Sequence, residues 1–142
     1  MDTDEALKLK NQLCFPLYAA ARKITSAYTP ILKPLGLTYT QYLVFLVLWE
    51  QDGISMGQLG KKLRLDSGTL TPLVKKMERS GYLIRRRSSQ DERSVDLFLT
   101  DSGKAVKEKV RDVPAKMRCE VSALTDRDML ELYRLLYKFL DN

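Results

Sequence analysis

The chain contains no histidine and only two cysteines, Cys14 and Cys119, among its 142 residues. Without imidazole, His-based general acid/base catalysis and every metal site that needs a histidine ligand are excluded. The two cysteines lie far apart and form no CxxC pair, which argues against a structural zinc site or a disulfide-stapled scaffold, and no metal or other cofactor is expected. Long apolar runs are missing as well. The longest, Tyr42 to Trp49, falls far short of the roughly 20 residues that span a bilayer, and no cleavable signal precedes it. A cytoplasmic chain with no membrane partner is therefore expected. Internal repeats and low-complexity tracts are also absent.

What is present is an ordinary globular balance, 44% hydrophobic and 30% charged, enough for one domain with a real core. The net charge of +6 permits nucleic acid or an anionic surface as partner, yet as a total it decides nothing. Its distribution is more informative. Ser55 to Thr100 hold ten basic and five acidic residues, against 14 and 13 in the rest of the chain. Nearly all the excess lies in the middle third, either as a solvated basic face or as a surface for an anionic partner.

Apolar periodicity lays out the elements. Leu9, Leu13, Leu17, Ala20, Ile24, Ala27 and Ile31 form one stripe of a helix from about Leu7 to Leu35. Pro16 either kinks it or marks a start near Phe15, and Pro30, Pro34 and Gly36 close it. Thr38 with Gln41 reads as a capping box for a second helix, apolar almost all round and ended by Asp52-Gly53. Ser55 caps a short helix through Met56, Leu59 and Leu63; Asp66 or Ser67 caps another that stops at Gly81. Tyr82–Arg87 and Val95–Thr100 read as two strands around a polar tip. A charged helix opens at Asp101-Ser102-Gly103 and runs to about Val113, where Pro114 bends or breaks it. A last helix opens at Thr125 with Asp128 and carries a broad apolar face.

The fold class expected is mainly α with a small β-wing: a winged helix-turn-helix flanked by N- and C-terminal dimerisation helices. Residues 1–142 would form a single domain, with 7–36 and 102–142 as dimerisation helices and 38–100 as the DNA-binding part. The terminal apolar faces are too large for so small a core, which suggests packing against a second copy.

In the second helix of the pair, Ser67, Gly68, Thr69, Thr71 and Pro72 sit at the start, where small side chains allow close entry into a major groove. Lys75 and Lys76 suit phosphates, and Arg85 belongs to the same basic surface. An ordinary capped amphipathic helix fits these residues too. At the tip, Arg93 stands two residues after Asp91; a narrow minor groove attracts an inserted arginine, and the carboxylate can orient its guanidinium. The alternative is a solvated turn with a weak surface ion pair.

Asp91-x-Arg93 followed by Val95-Asp96-Leu97-Phe98-Leu99-Thr100 resembles the wing signature of MarR-type winged-helix regulators, and the helix layout resembles theirs over essentially the whole chain. The resemblance implies a homodimer whose recognition helices enter successive major grooves of pseudo-palindromic double-stranded DNA, with Arg93 in the minor groove and Asp91 as its orienting partner. Pro114 is the departure that bears on the long linker helix.

Chemically, Cys14 and Cys119 read either as small buried hydrophobes or as reactive thiols. A helix restarting at Pro16 would put Cys14 near a positive helix end, and Tyr18, Tyr28, Tyr39 and Tyr42 cluster nearby in sequence with hydroxyls able to support a thiolate. The stretches Asn11–Tyr18, Leu37–Val44, Leu48–Glu50 and Leu65–Leu73 resemble the OhrR branch, the organic-hydroperoxide-responsive repressors. That resemblance implies Cys14 as the peroxidatic thiolate, Tyr28 and Tyr39 of the partner chain as its hydrogen-bond donors, and Cys119 as the resolving cysteine. It further implies that organic hydroperoxide, as signal, drives an intersubunit disulfide that releases DNA. Two other readings stand beside it: a MarR-type repressor sensing a small aromatic ligand with inert cysteines, and, from another class, a thiol peroxidase. The basic wing favours a regulator over an enzyme.

Overall fold

The computed structural model describes residues 3–141 as a mainly helical chain with one small sheet. Two compact units are distinguished: one comprises Tyr28–Arg111, and the other is drawn from the two ends of the chain, up to Ala27 and from Asp112 onward.

The N-terminal segment is more broken than its apolar stripe predicts. A short helix α1 (Thr3–Ala6) and a 3-10 turn (Leu9–Asn11) precede α2 (Cys14–Leu32). The long helix therefore starts at Cys14, not at Leu7 or Phe15. Pro16 sits at the third position of α2, where a backbone N–H has no intrahelical acceptor, so its ring costs the helix little. The helix also runs past Pro30 and ends at Leu32; a 3-10 turn (Lys33–Leu35) follows, and Gly36 at φ +69° turns the chain.

In the 28–111 unit, α3 (Tyr39–Glu50) forms the core. Thr38 accepts from the Gln41 N–H at 3.3 Å while the Gln41 side chain takes the Thr38 N–H at 3.0 Å, the expected capping box. Tyr42, Val44, Phe45, Val47 and Leu48 are all buried, which explains the lack of a polar face. The Phe45 ring stacks on Trp49, whose indole N–H donates to the Gly103 carbonyl at 3.2 Å.

The remaining elements are β1 (Ile54–Ser55), α4 (Met56–Leu63), α5 (Ser67–Arg79), β2 (Leu83–Arg87), β3 (Val95–Leu99) and α6 (Asp101–Lys109). The sheet has three antiparallel strands in the order β1-β3-β2, with Ile54 opposite Leu97 and Arg85 opposite Leu97 on its other side. The strand β1 is an addition to the expected hairpin. Two residues with no alternating pattern give no strand signal; tertiary contacts place them, through Gly53 N–H to Leu97 O and Leu99 N–H to Asp52 Oδ1, each 2.9 Å.

The terminal unit holds the start of α2, α7 (Val113–Glu120) and α8 (Asp126–Leu140). The break before α7 falls at residues 110–112, and Pro114 lies in its first turn, where proline is tolerated. Thr125 and Asp128 form a capping box for α8, and Arg118 pairs with Asp126. Among the described residues, the exposed large hydrophobic ones other than Leu46 belong to this unit, with Leu130 at 70% and Phe139 at 63% exposure on α8. Among the described residues no single helix is long and apolar enough to cross a membrane.

Candidate nucleic-acid interface and thiol sites

The helix pair α4–α5 is set by its caps. Ser55 accepts from the Gln58 N–H at 3.1 Å and receives the Gln58 side chain on its own N–H at 2.9 Å. At the other end of α4, Arg64 takes the left-handed conformation at φ 53°, and Leu65 N–H bonds back to Gly60 O. Gly60 allows this close return: a Cβ there would stand 3.0 Å from the Leu65 carbonyl, a tight contact. Asp66, rather than Ser67, is the cap of α5. Its Oδ1 accepts from Thr69 N–H at 2.8 Å, and this backbone donor is the main reason its carboxyl lies below the ordinary aspartate range.

With Asp66 in that role, the Ser67 hydroxyl is not spent on capping. Leu70, Val74 and Met77 are buried, whereas Ser67, Gly68, Thr69, Pro72, Lys75 and Lys76 are exposed and Thr71 is half-buried. Pro72, inside α5, has no N–H to offer the Gly68 carbonyl, so an acceptor is presented on the same exposed face. These residues thus all lie off the buried side of α5.

The wing closes through Ser88 N–H to Ser94 O at 2.8 Å and Ser94 N–H to Asp91 O at 2.9 Å. Asp91 and Arg93 are both exposed at its tip. The expected carboxylate–guanidinium contact is replaced by another: Asp91 Oδ1 accepts from the main-chain N–H of Arg93 at 3.0 Å. A two-residue separation in a turn brings the side-chain oxygen to that N–H first. Asp91 fixes the turn that projects Arg93.

Arg85 also differs from its expected place. Its Nε donates to Glu78 Oε2 at 2.8 Å and its main-chain N–H to Glu78 Oε1 at 3.1 Å, so it is half-buried and joined to α5 instead of standing open to phosphates. Two basic residues that the sequence reading did not place at a contact, Lys61 and Arg64, line a cleft of about 430 Å³ with Arg85, Thr71 and Gly57. The left-handed backbone of Arg64, where glycine is preferred, is visible only in three dimensions.

Cys14 is the first residue of α2 and Cys119 lies in the last turn of α7; both thiols are free and exposed, so neither is a buried hydrophobe. Cys119 Sγ lies 3.6 Å from the Ala115 carbonyl. The Tyr28 and Tyr39 ring centroids lie 4.7 Å apart, and Tyr42 joins them at 5.7 Å from Tyr28. Burial raises the pKa values of Tyr39 and Tyr42. Tyr18 does something else: it is exposed, with the Arg22 guanidinium 5.5 Å from its ring. No group of three or more His, Cys, Asp or Glu is placed to hold a metal ion among the described residues.

A family model described as "Transcriptional regulator SarA/Rot" matches residues 26–110, which take in α3 to α6. The organic hydroperoxide resistance transcriptional regulator of Bacillus subtilis (strain 168) is 45% identical over 135 residues, covering 95% of this chain and 91% of its own. This chain belongs to the MarR-type winged-helix transcriptional regulators, in their hydroperoxide-regulator branch. Solved structures agree with that membership. AbfR of Staphylococcus epidermidis, reduced and bound to DNA, superposes with a TM-score of 0.78 at 36% identity, covering 97% of this chain and 95% of its own. Its disulfide-formed structure gives 0.63 at 35%, covering 96% of each. Members of this MarR-type group are regulators and not enzymes, which removes the peroxidase reading.

Proposed function

We propose that this MarR-type chain is a homodimeric DNA-binding repressor that leaves its operator when Cys14 is oxidised by an organic hydroperoxide. The observation that carries the reading is the exposed, free Cys14 at the first position of α2, in a chain 45% identical to a hydroperoxide resistance regulator. The Cys14 thiolate attacks the peroxide O–O bond, giving Cys14 sulfenic acid and releasing an alcohol after protonation. The thiol of Cys119 in the second subunit then condenses with it, forming one S–S bond and one water. In this reading the Tyr28–Tyr39 pair of the second subunit supplies phenol hydroxyls for hydrogen bonds to the thiolate.

The chain's residues 1–142 act as one functional domain in this reading. Its exposed apolar ends, including Leu130, Tyr133 and Phe139, form the subunit interface, while α5 and the Arg93 wing meet the major and minor grooves. A disulfide draws two Cα atoms to within about 6 Å, and the resulting shift of the terminal helices changes the spacing of the two recognition helices. AbfR, solved reduced on DNA, overoxidised on DNA and in a disulfide form, supports a thiol-based change of state in this fold and points to the disulfide as the step that matters for release. The test is a non-reducing gel run beside an operator-binding assay after treatment with an organic hydroperoxide. A covalent dimer that needs both cysteines, and that forms as DNA is released, is expected. Release of DNA with no covalent dimer would overturn the Cys119 step.

A further inference from the structure

A recognition helix and a wing must reach two grooves at once, so the angle between them matters as much as the side chains they carry. Here the join between α5 and β2 is a short turn. Gly81 N–H bonds to Glu78 O at 2.9 Å and Tyr82 N–H to Met77 O at 3.1 Å, with Gly81 at φ +78° and open space where a Cβ would be. Thr100 also holds this backbone, donating its hydroxyl to the Gly81 carbonyl at 2.6 Å and its N–H to the Tyr82 carbonyl at 3.0 Å, and the left-handed φ of glycine makes the turn. One side chain spans it. Glu78, on the near side, takes the Arg85 main-chain N–H with one oxygen and the Arg85 Nε–H with the other. Arg85 in turn is paired across β2 and β3, three residues before Ser88 closes the tip that carries Arg93.

We infer that Glu78 is a positioning residue: its two-point grip on Arg85 adds a side-chain brace across the Gly81 turn and fixes the wing, and with it Arg93, relative to the recognition helix. Glu78 is the single acidic residue of α5. A carboxylate on a helix that faces phosphates opposes DNA binding by simple electrostatics, and the brace supplies the reason for its presence. The inference rests on the DNA-binding reading above for its effect on affinity, but the brace itself belongs to the free protein.

The opposition of signs makes the test decisive. The probe is a duplex carrying the tightest site that the reduced wild-type chain selects from a random pool. Charge alone predicts that Glu78→Ala and Glu78→Gln bind this duplex more tightly. The brace predicts about tenfold weaker binding for Glu78→Ala, a smaller loss for Glu78→Gln, which keeps one acceptor, and no further loss when Glu78→Ala is added to Arg93→Ala. Binding that tightens, or losses that add across the double variant, would overturn the proposal. Hydrogen exchange provides a readout without DNA: the amides of Arg85, which loses its acceptor, and of Arg86, which faces β3, should exchange faster in Glu78→Ala, while Trp49 fluorescence reports an intact core. Unchanged exchange would likewise overturn the brace. Should the wild-type chain select no duplex at all, the DNA-binding reading falls, and the exchange experiment judges the brace by itself.

Discussion

Asp91 accepts a hydrogen bond from the main-chain N–H of Arg93, 3.0 Å from Oδ1, at the exposed tip of the wing. The carboxylate shapes the turn and leaves the guanidinium available for an external anion. Arg93→Ala should weaken operator binding by about 1–3 kcal/mol, the range of a specific contact. Asp91→Asn retains an acceptor for the turn and should bind nearly as well as wild type, whereas Asp91→Ala should lose part of the Arg93 effect. Fluorescence anisotropy on one duplex measures all three; equal binding by Arg93→Ala would count against wing insertion.

Cys14→Ser should bind operator like wild type and stay bound in organic hydroperoxide, because serine cannot form a sulfenic acid. Cys119→Ser should still be oxidised at Cys14 yet form no covalent dimer. Mass spectrometry of the treated proteins distinguishes the two.

Gly103→Ala should lower stability by about 1–3 kcal/mol or more. A Cβ at this position would stand 2.1 Å from the Tyr82 carbonyl and 3.0 Å from Leu99 Cδ2, so backbone must move. The Gly103 carbonyl also receives the Trp49 indole, so denaturant unfolding followed by tryptophan fluorescence reads the change directly.

Stability should fall at both ends of the pH scale. The hydrogen bond from Arg85 lowers Glu78, and that from the Thr69 backbone N–H lowers Asp66. A depressed folded-state pKa stabilises fully above the ordinary carboxylate value of about 4 and loses that contribution as pH falls through the folded value. Burial raises Tyr39 and Tyr42; their contribution is complete below about pH 10 and is lost as pH rises through the folded values. Thermal melts of Glu78→Gln, compared with wild type at neutral and acid pH, should converge as pH drops; parallel curves would refute the acid assignment.

Local signals carried much of the architecture. Thr38 with Gln41, Ser55 with Gln58 and Thr125 with Asp128 are short-range exchanges between side chain and backbone, so spacing alone marks those helix starts. The apolar spacing of Leu70, Val74 and Met77 likewise identifies the buried side of α5, and hence the face left for a groove. What needed three dimensions was every pairing between segments. Ile54–Ser55 becomes a strand only because Leu97 and Asp96 lie beside it. The long apolar stripe from Leu9 read as one helix, but Leu9 and Leu13 are exposed and outside α2, since an apolar period does not say whether its own chain or a second copy covers it.

The same division runs through the candidate sites. Residue types and spacing marked Arg93 and the small residues that open α5 as candidates, while Cys14 and Cys119 took their proposed roles from the family resemblance, because on residue type alone a thiol reads equally as a small hydrophobe. The sequence by itself determined which chemistry the chain possesses: two thiols, no imidazole and a basic middle third. Tertiary structure alone decided which groups are committed to one another. It withdrew Arg85 into a bond with Glu78, seven positions away across a turn, turned Asp91 toward a main-chain N–H, and drew Tyr42 in beside Tyr28. Such choices depend on distances of a few ångströms between segments, and a linear order of residues does not contain them.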